Sequence, residues 1–398
     1  MRVPQCPTVC FLVTVAAAQL SVSVVNNLPG NTPTYAYVTA QSRDHQIVLL
    51  QSDHTWYYPH VETIPSVPLD ELASIAIPLA AGGARTTITI PSEFTSGRIW
   101  CSSGTLAFYV VLNNNGEAVL VEPSVTNATD PNHAVDWGFA ELSYTKEAGL
   151  FVNLSYVDFV GLALGISLES QDGRIQEVSG FPATAMADLC DRLQRQARSS
   201  GYPWDQLCVT DSDGRIRRVL SPSSQIRRNP SAFHDYYSAY VDEVWSTYSQ
   251  RFLTVNPQTL ASNITCIVHG DTLRCSGDDR GFRKPTAADI FTCDSGPFAI
   301  DATDNDAHVA VVPRLCAAFQ RATLLLAGGD LQPSLDPSFY YTASPNNFYS
   351  HFVHELELDG KGYAFPYDDV GPLGADQSGV IASQTPRLLT LTVGGRSQ

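Results

Sequence analysis

The chain has 398 residues, 44% hydrophobic and only 16% charged, with 40 Asp and Glu against 24 Lys and Arg and a formal net charge of −16. So much apolar residue buries sizeable cores, which excludes global disorder and leaves room for two domains or one large one. An acidic surface repels nucleic acid and anionic membranes and suits a neutral partner such as a polysaccharide.

In chain order, residues 1–18 read as a signal peptide: Arg2 is a short basic region, Val9 to Ala18 an apolar stretch, and Ala16-Ala17-Ala18 a small-residue cleavage site. The mature chain is expected to start near Gln19, secreted to the exterior or the cell wall. No later segment reaches transmembrane length. Strand-like runs follow at 22–26, 34–39, 46–51, 86–90, 98–101, 106–112 and 118–122, punctuated by Gly, Pro, Asn and Asp at the spacing of a sandwich or barrel. The period then changes. A helix is predicted from Pro182, with Met186, Leu189, Cys190, Leu193 and Ala197 on one stripe. A second is expected from about Ala232, and a third after Pro313, stopping at Gly328-Gly329. The run 388–393 is again a strand, which should rejoin the first sheet. The fold class is therefore mainly β with an α/β part: a β domain over 19–180 completed by 376–398, and a mixed domain over 181–375.

Seven cysteines follow the signal segment, and six fall into neighbouring pairs. Cys190–Cys208, Cys266–Cys275 and Cys293–Cys316 are the predicted bridges, although the sequence is compatible with other connectivities. Cys101 is left over in an apolar strand, as a buried free thiol. Sequons at Asn127, Asn153 and Asn263 mark candidate glycosylation sites.

The chemistry is narrowed by what the motifs lack. His351 and His354 in HFVHE lack the spacing that presents two metal ligands one turn apart, and no C-x-x-C occurs. There is no G-x-S-x-G elbow and no Walker or dinucleotide fingerprint, so neither metal nor cofactor is predicted. Carboxylates remain. Most are solvated, but Glu141 in WGFAELSYT and Asp158 in LFVNLSYVDFVGLALGI lie inside apolar strand-like runs, where ionisable groups are costly. The turn KEAG (146–149) joins the two runs into a hairpin. With a four-residue loop, Thr145 opposes Leu150 and Glu141 opposes Leu154. Both acids then share a face, but that face mixes polar and apolar residues. A slip of one residue matches polar to polar and turns Asp158 away. A β-bulge near Tyr156-Val157 reconciles the two and is predicted. Either register puts the acids roughly 10 Å apart at Cα, from which side chains reach the ~6.5–9.5 Å of an inverting glycosidase. The segment GYAFPYDDVGP (362–372) is either a surface turn or a cleft wall, in which Tyr367 stacks on sugars while Asp368 and Asp369 bond hydroxyls.

WGFAELSY followed by NLSYVDFVGLALGI resembles the catalytic stretch of glycoside hydrolase family 64, the secreted β-1,3-glucanases. LLQSD (49–53), VEPSVTN (121–127), YVDEVWSTY (240–248), KPTAADIFTCDSGPF (284–298) and HELELDGKGYAFPYDDV (354–370) agree with it. The resemblance runs from about Val22 to the C-terminus. It implies a thaumatin-like β-barrel or sandwich joined to a mixed α/β domain, forming a crescent with a wide groove. It also implies an inverting endo-β-1,3-glucanase with Glu141 as general acid and Asp158 as general base, and Ser143 and Ser155 bonding glucan hydroxyls. Leu142 stands where the family pattern would place an aromatic residue. The roles require Glu141 to stay protonated, through apolar burial and neighbouring Asp charge, and Asp158 to stay ionised. An acidic pH optimum is expected, with Asp368 and Asp369 keeping the groove acidic. The partner is a laminarin-like or fungal-wall β-1,3-glucan, with neither nucleic acid nor membrane involved, and the protein is expected to be a monomer. The rival reading is a non-catalytic thaumatin-like glucan-binding or antifungal protein.

Overall fold

The computed structural model describes residues 19–30, 32–60, 69, 74–258 and 262–395; the signal segment 1–18 lies outside them. The architecture is mainly β, with several sheets and six α-helices among the described residues. Two large sheets share the principal core. The first has five strands, in the order Ile175–Val178, Leu164–Ser170, Pro386–Val393, Leu20–Asn26, Arg85–Ile90. The second runs Ile381–Ser383, Gly149–Leu154, Asp136–Thr145, Phe94–Ser103, Thr34–Gln41, Ile47–Leu50, Trp56–Tyr57, with Ile77–Pro78 also paired to Thr34–Gln41.

Period-two alternation sets the inner faces. Val22 and Val24, Ile88 and Ile90, Ile166 and Leu168, and Leu389 and Leu391 are buried on the first sheet; Val38, Ile99, Ala140, Leu142, Val152 and Leu154 are buried on the second. Both sets belong to one continuous core. The C-terminal strand returns as predicted: Pro386–Val393 runs parallel to Leu20–Asn26 and antiparallel to Leu164–Ser170.

The intervening region mixes helices with a five-stranded sheet, Gly281–Arg283, Thr272–Cys275, Ile264–His269, Leu253–Val255 and Leu331–Gln332. Its first helix is Ala185–Ser200, closed by Gly201 at φ 76°. The helix expected from Ala232 forms only at Ser238–Tyr248. The helix expected after Pro313 begins earlier, at Asp306, where Asn305 caps His308 N–H, and ends at Gln320 rather than at Gly328. Pro313 therefore lies inside it. The carbonyl that proline leaves free is that of Val309, which is 43% exposed, so water can satisfy it. Three short helices escape the periodicity reading because each is under three turns: Pro222–Arg228, Ala287–Thr292 and Phe348–Leu356. Their caps were nonetheless legible, with Ser221 before Pro222 and Thr286 with Asp289 in a capping box.

The hairpin register differs from the four-residue-loop expectation. Thr145 pairs with Gly149 and Glu141 with Asn153, so the loop is three residues, Lys146 to Ala148. The predicted bulge at Tyr156-Val157 is absent. Instead the strand ends at Leu154, Ser155 bridges to Tyr363, and the chain bends before the Phe159–Val160 strand. The bend does what the bulge was invoked to do, by releasing Asp158 from the alternation of the strand.

Three disulfides tie the mixed region: Cys190–Cys208, Cys266–Cys275 directly across a hairpin, and Cys293–Cys316. Cys101 is free and buried, and burial pushes its thiol up to about 12. Iodoacetamide near neutral pH should therefore leave Cys101 unmodified in the folded protein and alkylate it in guanidinium, as read by peptide mass spectrometry. Native alkylation at Cys101 would contradict this burial.

Candidate active site

The site is built on the outer face of the second sheet. Along Asp136–Thr145, Leu142 and Tyr144 point into the core, while Glu141 and Ser143 point outwards. Glu141 sits between two cross-strand neighbours, Arg98 on the Phe94–Ser103 strand and Asn153 on the Gly149–Leu154 strand. One end of this face is sealed by a second core of tilted and edge-on aromatics, with ring centroids 4.9 Å apart for Trp100–Phe139 and 4.4 Å for Trp137–Phe159. The other end is open.

Phe159 in that cluster explains where Asp158 goes. Its ring also lies 6.1 Å from Phe139, two residues from Glu141 on the same face. Packing of Phe159 thus fixes the backbone beside Asp158 at this sealed end, while Asp158 itself lines neither of the two groove spaces that Glu141 lines. The Asp158 carbonyl accepts from Ser221 N–H at 2.9 Å, and its carboxylate accepts from Arg227 Nη1 at 3.1 Å.

Glu141 is not enclosed by apolar groups as expected; its side chain is 34% exposed and its environment is ionic. Arg98 donates to Glu141 Oε1 from Nε at 3.1 Å and from Nη2 at 2.9 Å, and donates from Nη1 to Glu122. The guanidinium is held over the rings of Phe139 (4.6 Å) and Trp100 (5.5 Å). Glu122 lies just past the Ala118–Val121 strand. Burial, together with the nearby negative charges of Glu141 and Asp158, raises its carboxyl above the usual range against the pull of Arg98.

The opposite wall comes from the segment 363–380. Tyr363 backbone N–H donates to Leu154 O, and its hydroxyl donates to Asp369 at 2.8 Å; burial and the Asp369 charge push its phenol up. Glu141, Phe151, Asn153, Gln258, Tyr363 and Asp369 line a cavity of about 780 Å³ beneath the Gly371–Gly374 loop. Glu141, Phe151 and Asn153 also line an adjoining space of about 500 Å³ that reaches Arg98, Glu122, Ser143 and Gln41. The two form one groove with Glu141 on its floor.

A family model described as β-1,3-glucanase, glycoside hydrolase family 64, matches residues 18–393. The chain belongs to this family. It is 30% identical, over 295 residues, to a glucan endo-1,3-beta-glucosidase of Cellulosimicrobium cellulans and to another of Arthrobacter sp. strain YCWD3. The matched region is 72% of this chain and 50% of each relative, so the chain spans about half the length of the curated relatives it matches. Among solved structures, a laminaripentaose-producing β-1,3-glucanase in complex with laminaritetraose superposes with TM-score 0.82 at 26% identity, covering 94% of this chain and 98% of that one. A family 64 β-1,3-glucanase domain from Clostridium beijerinckii shares the fold with TM-score 0.73 at 20% identity, over 94% and 98% of the two chains.

Against this geometry the residues singled out in the sequence separate. Glu141, Ser143 and Asp369 line the groove, with Ser143 Oγ also accepting from Ser96 N–H at 3.2 Å. Ser155 is buried in its bridge to Tyr363. Tyr367 turns the chain at φ 71° and packs against core residues. Asp368, expected on the cleft wall, is fully enclosed. It accepts from Arg321 at 2.9 Å, His354 Nε2 at 3.0 Å and Ala364 N–H at 2.9 Å, so its charge is neutralised inside the protein and does not acidify the groove. Asn127 and Asn263 are exposed, whereas Asn153 lines the groove. A glycan on Asn153 would fill the groove that Glu141 faces. Arg98, Glu122, Asn153 as a groove residue, Tyr363 and Arg227 were missed. Only Glu141 in its strand carried a signal, since an acid within a strand favours a cross-strand cation.

The network below the groove makes a stability prediction. Burial would raise the Asp368 carboxyl, but His354 and Arg321 outweigh it and hold it below the usual range. Its stabilisation is therefore complete above the unfolded carboxylate value of about 4 and is lost as pH falls through the lowered folded value. Asp368→Asn leaves Arg321 buried without its counter-charge and should cost about 3–5 kcal/mol. Glu357 is the converse: wholly buried, its oxygens without hydrogen-bond partners among the described residues though His354 Nδ1 lies 3.8 Å away, its carboxyl pushed well up by burial and by Asp359 and Asp368. Ionisation of the unfolded chain above pH of about 4.3 then works against folding. Glu357→Gln should raise the melting temperature at neutral pH and gain little at pH 4. Calorimetry of both variants across pH checks the two opposite signs.

Proposed function

We propose that the protein is a secreted endo-β-1,3-glucanase that cleaves its substrate with inversion. Glu141 acts as general acid and Asp158 as general base. The observation that carries this reading is Glu141 on the floor of an open groove; Asp158 is assigned from the family resemblance, and its neighbour Phe159 packs 6.1 Å from Phe139 on the strand of Glu141. The curated relatives are endo-1,3-beta-glucosidases, and a structural relative binds laminaritetraose, so the groove is read as the glucan site. The wall residues suit a neutral polyhydroxyl chain: Phe151, 45% exposed, offers an apolar face, while Asn153, Gln258, Tyr363 and Asp369 offer hydrogen bonds.

On this reading the β region, 19–180 with 376–398, and the mixed region, 181–375, each supply one wall of a wide groove. A glucan laid along it places the scissile oxygen at Glu141, which donates a proton to it. Asp158, paired with Arg227, takes a proton from the water that attacks the anomeric carbon from the opposite face. The separation of an inverting pair, ~6.5–9.5 Å, leaves room for that water.

Wild-type protein should release reducing sugar from linear β-1,3-glucan, with the α-anomer first in the NMR spectrum of fresh product. Glu141→Gln and Asp158→Asn should each lower the rate about 10²–10⁴-fold while glucan binding persists. Glucan binding without release by the wild type would favour the non-catalytic glucan-binding reading. Release that survives both substitutions would remove the assigned roles.

A further inference from the structure

The Arg98 fork raises a problem for a general acid, because Nε–H and Nη2–H both donate to Glu141 Oε1, and such a donor pair competes with the proton a general acid must carry. The geometry also contains a way out. Nε and Nη2 of Arg98 face Glu141, while Nη1 faces Glu122. The guanidinium is fixed over Phe139 and Trp100, so it stays between the two carboxylates whichever it binds more tightly. One cation and two carboxylates carry a net charge of −1 when both acids are ionised, and one proton neutralises the trio; burial already raises Glu122, so the proton settles on Glu141 only when the guanidinium passes to Glu122 and holds it as the anion. An acceptor for a proton on Glu141 stands across the ladder: Asn153 Oδ1 is enclosed and has no hydrogen-bond partner among the described residues.

We propose that Glu122 is a positioning residue for Glu141: it draws the Arg98 guanidinium to itself as Glu141 takes up the proton it will deliver to the leaving oxygen. The inference rests on the reading of Glu141 as general acid. The chemistry is a proton transfer with no net change elsewhere. Solvent protonates Glu141 and Arg98 shifts its pairing to Glu122. On cleavage the proton leaves with the sugar hydroxyl, and Arg98 again pairs with the Glu141 carboxylate. Other charged or titratable groups around this trio are Asp158, itself paired with Arg227, and Tyr363, Asp369 and Asp376 on the facing wall. None of these is bonded to Arg98, so the single cation is divided between Glu122 and Glu141.

Opposite substitutions give opposite signs. Glu122→Gln leaves Arg98 to Glu141 alone, so the alkaline limb of the kcat profile should move to lower pH by about one unit, a tenfold loss of rate at fixed pH on that limb. KM for a short laminari-oligosaccharide should change little, and activity should recover on acidification. Arg98→Gln removes the cation and should move the same limb to higher pH. Arg98→Lys keeps the charge without the fork and serves as the variant to read if Arg98→Gln does not fold, its limb falling between wild type and Arg98→Gln.

Carbon-13 NMR titration of labelled Glu carboxyls, with Glu141→Gln assigning the resonance, reads the same shifts without catalysis. A wild type that releases no sugar would end the functional reading, yet the Glu141 resonance would still report whether Glu122 and Arg98 control its proton. The proposal is overturned if the Glu141 titration is unmoved by Glu122→Gln, if both variants move it the same way, or if Glu122→Gln abolishes hydrolysis at every pH, which would make Glu122 itself the proton donor.

Discussion

Thr145 pairs with Gly149, and the rest of the groove floor follows from that pairing. It sets Glu141 between Arg98 and Asn153 on the outer face while Leu142 and Val152 go to the core. A slip of one residue would exchange the two faces and bury the acid. Gly149 prevents the slip. It has φ 78°, and a Cβ there would approach Ser383 O to 2.3 Å, so the turn can be occupied only by glycine. Ser383 belongs to the Ile381–Ser383 strand that pairs with Gly149–Leu154. The last stretch of the chain therefore fixes the turn that aims the acid, at the same time as it completes the first sheet through Pro386–Val393.

The facing wall depends on a different kind of constraint. Asp368 and Asp369 are neighbours with opposite fates. Tyr367 at positive φ, with Val370 N–H bonded back to its carbonyl, turns the chain so that one carboxylate enters the protein and the other leaves it. Inside, Arg321 lies between the faces of Tyr340 (4.3 Å) and Phe365 (5.1 Å) and also donates to the carbonyls of Asp368 and Val370. Burying such ions is costly, and the return is geometric: the network pins the loop from which Tyr363 and Asp369 reach the groove. The Tyr349 hydroxyl, bonded to Tyr156 O at 2.7 Å, ties the Phe348–Leu356 helix to the segment that carries Asp158.

What the sequence made legible is what local pattern encodes. Alternation located the strands, the return of the C-terminal strand was visible as a β run after a mixed region, and the close cysteine pairs coincide with the three bridges. The departures are tertiary. Pro313 reads as a helix start in isolation, but the helix crosses it because Val309 faces solvent. Asp158 cannot be placed by strand parity, since the packing of Phe159 on Trp137 decides its position, and that contact joins residues with no local relation. Asp368 and Asp369 are indistinguishable by composition; only the positive φ at Tyr367 separates them. Arg98 and Glu122 were invisible as site residues for the same reason, because they reach Glu141 only through strand pairing.

The chain is strongly acidic, yet each proposed catalytic acid faces an arginine, and the two arrangements differ in a way that suits different roles. Asp158 and Arg227 form a one-to-one pair with side chains 41% and 49% exposed, worth little in stability. Arg98 is more enclosed and divided between Glu141 and Glu122, at 28% exposure against 34% and 32%. An arginine with one carboxylate neutralises it, whereas an arginine with two leaves a negative charge that a proton can satisfy. The two carboxylates are thus set apart by the number of anions each cation serves. Apolar burial is not required for that distinction, which accounts for an acid on a wet, open groove floor that a polysaccharide can reach.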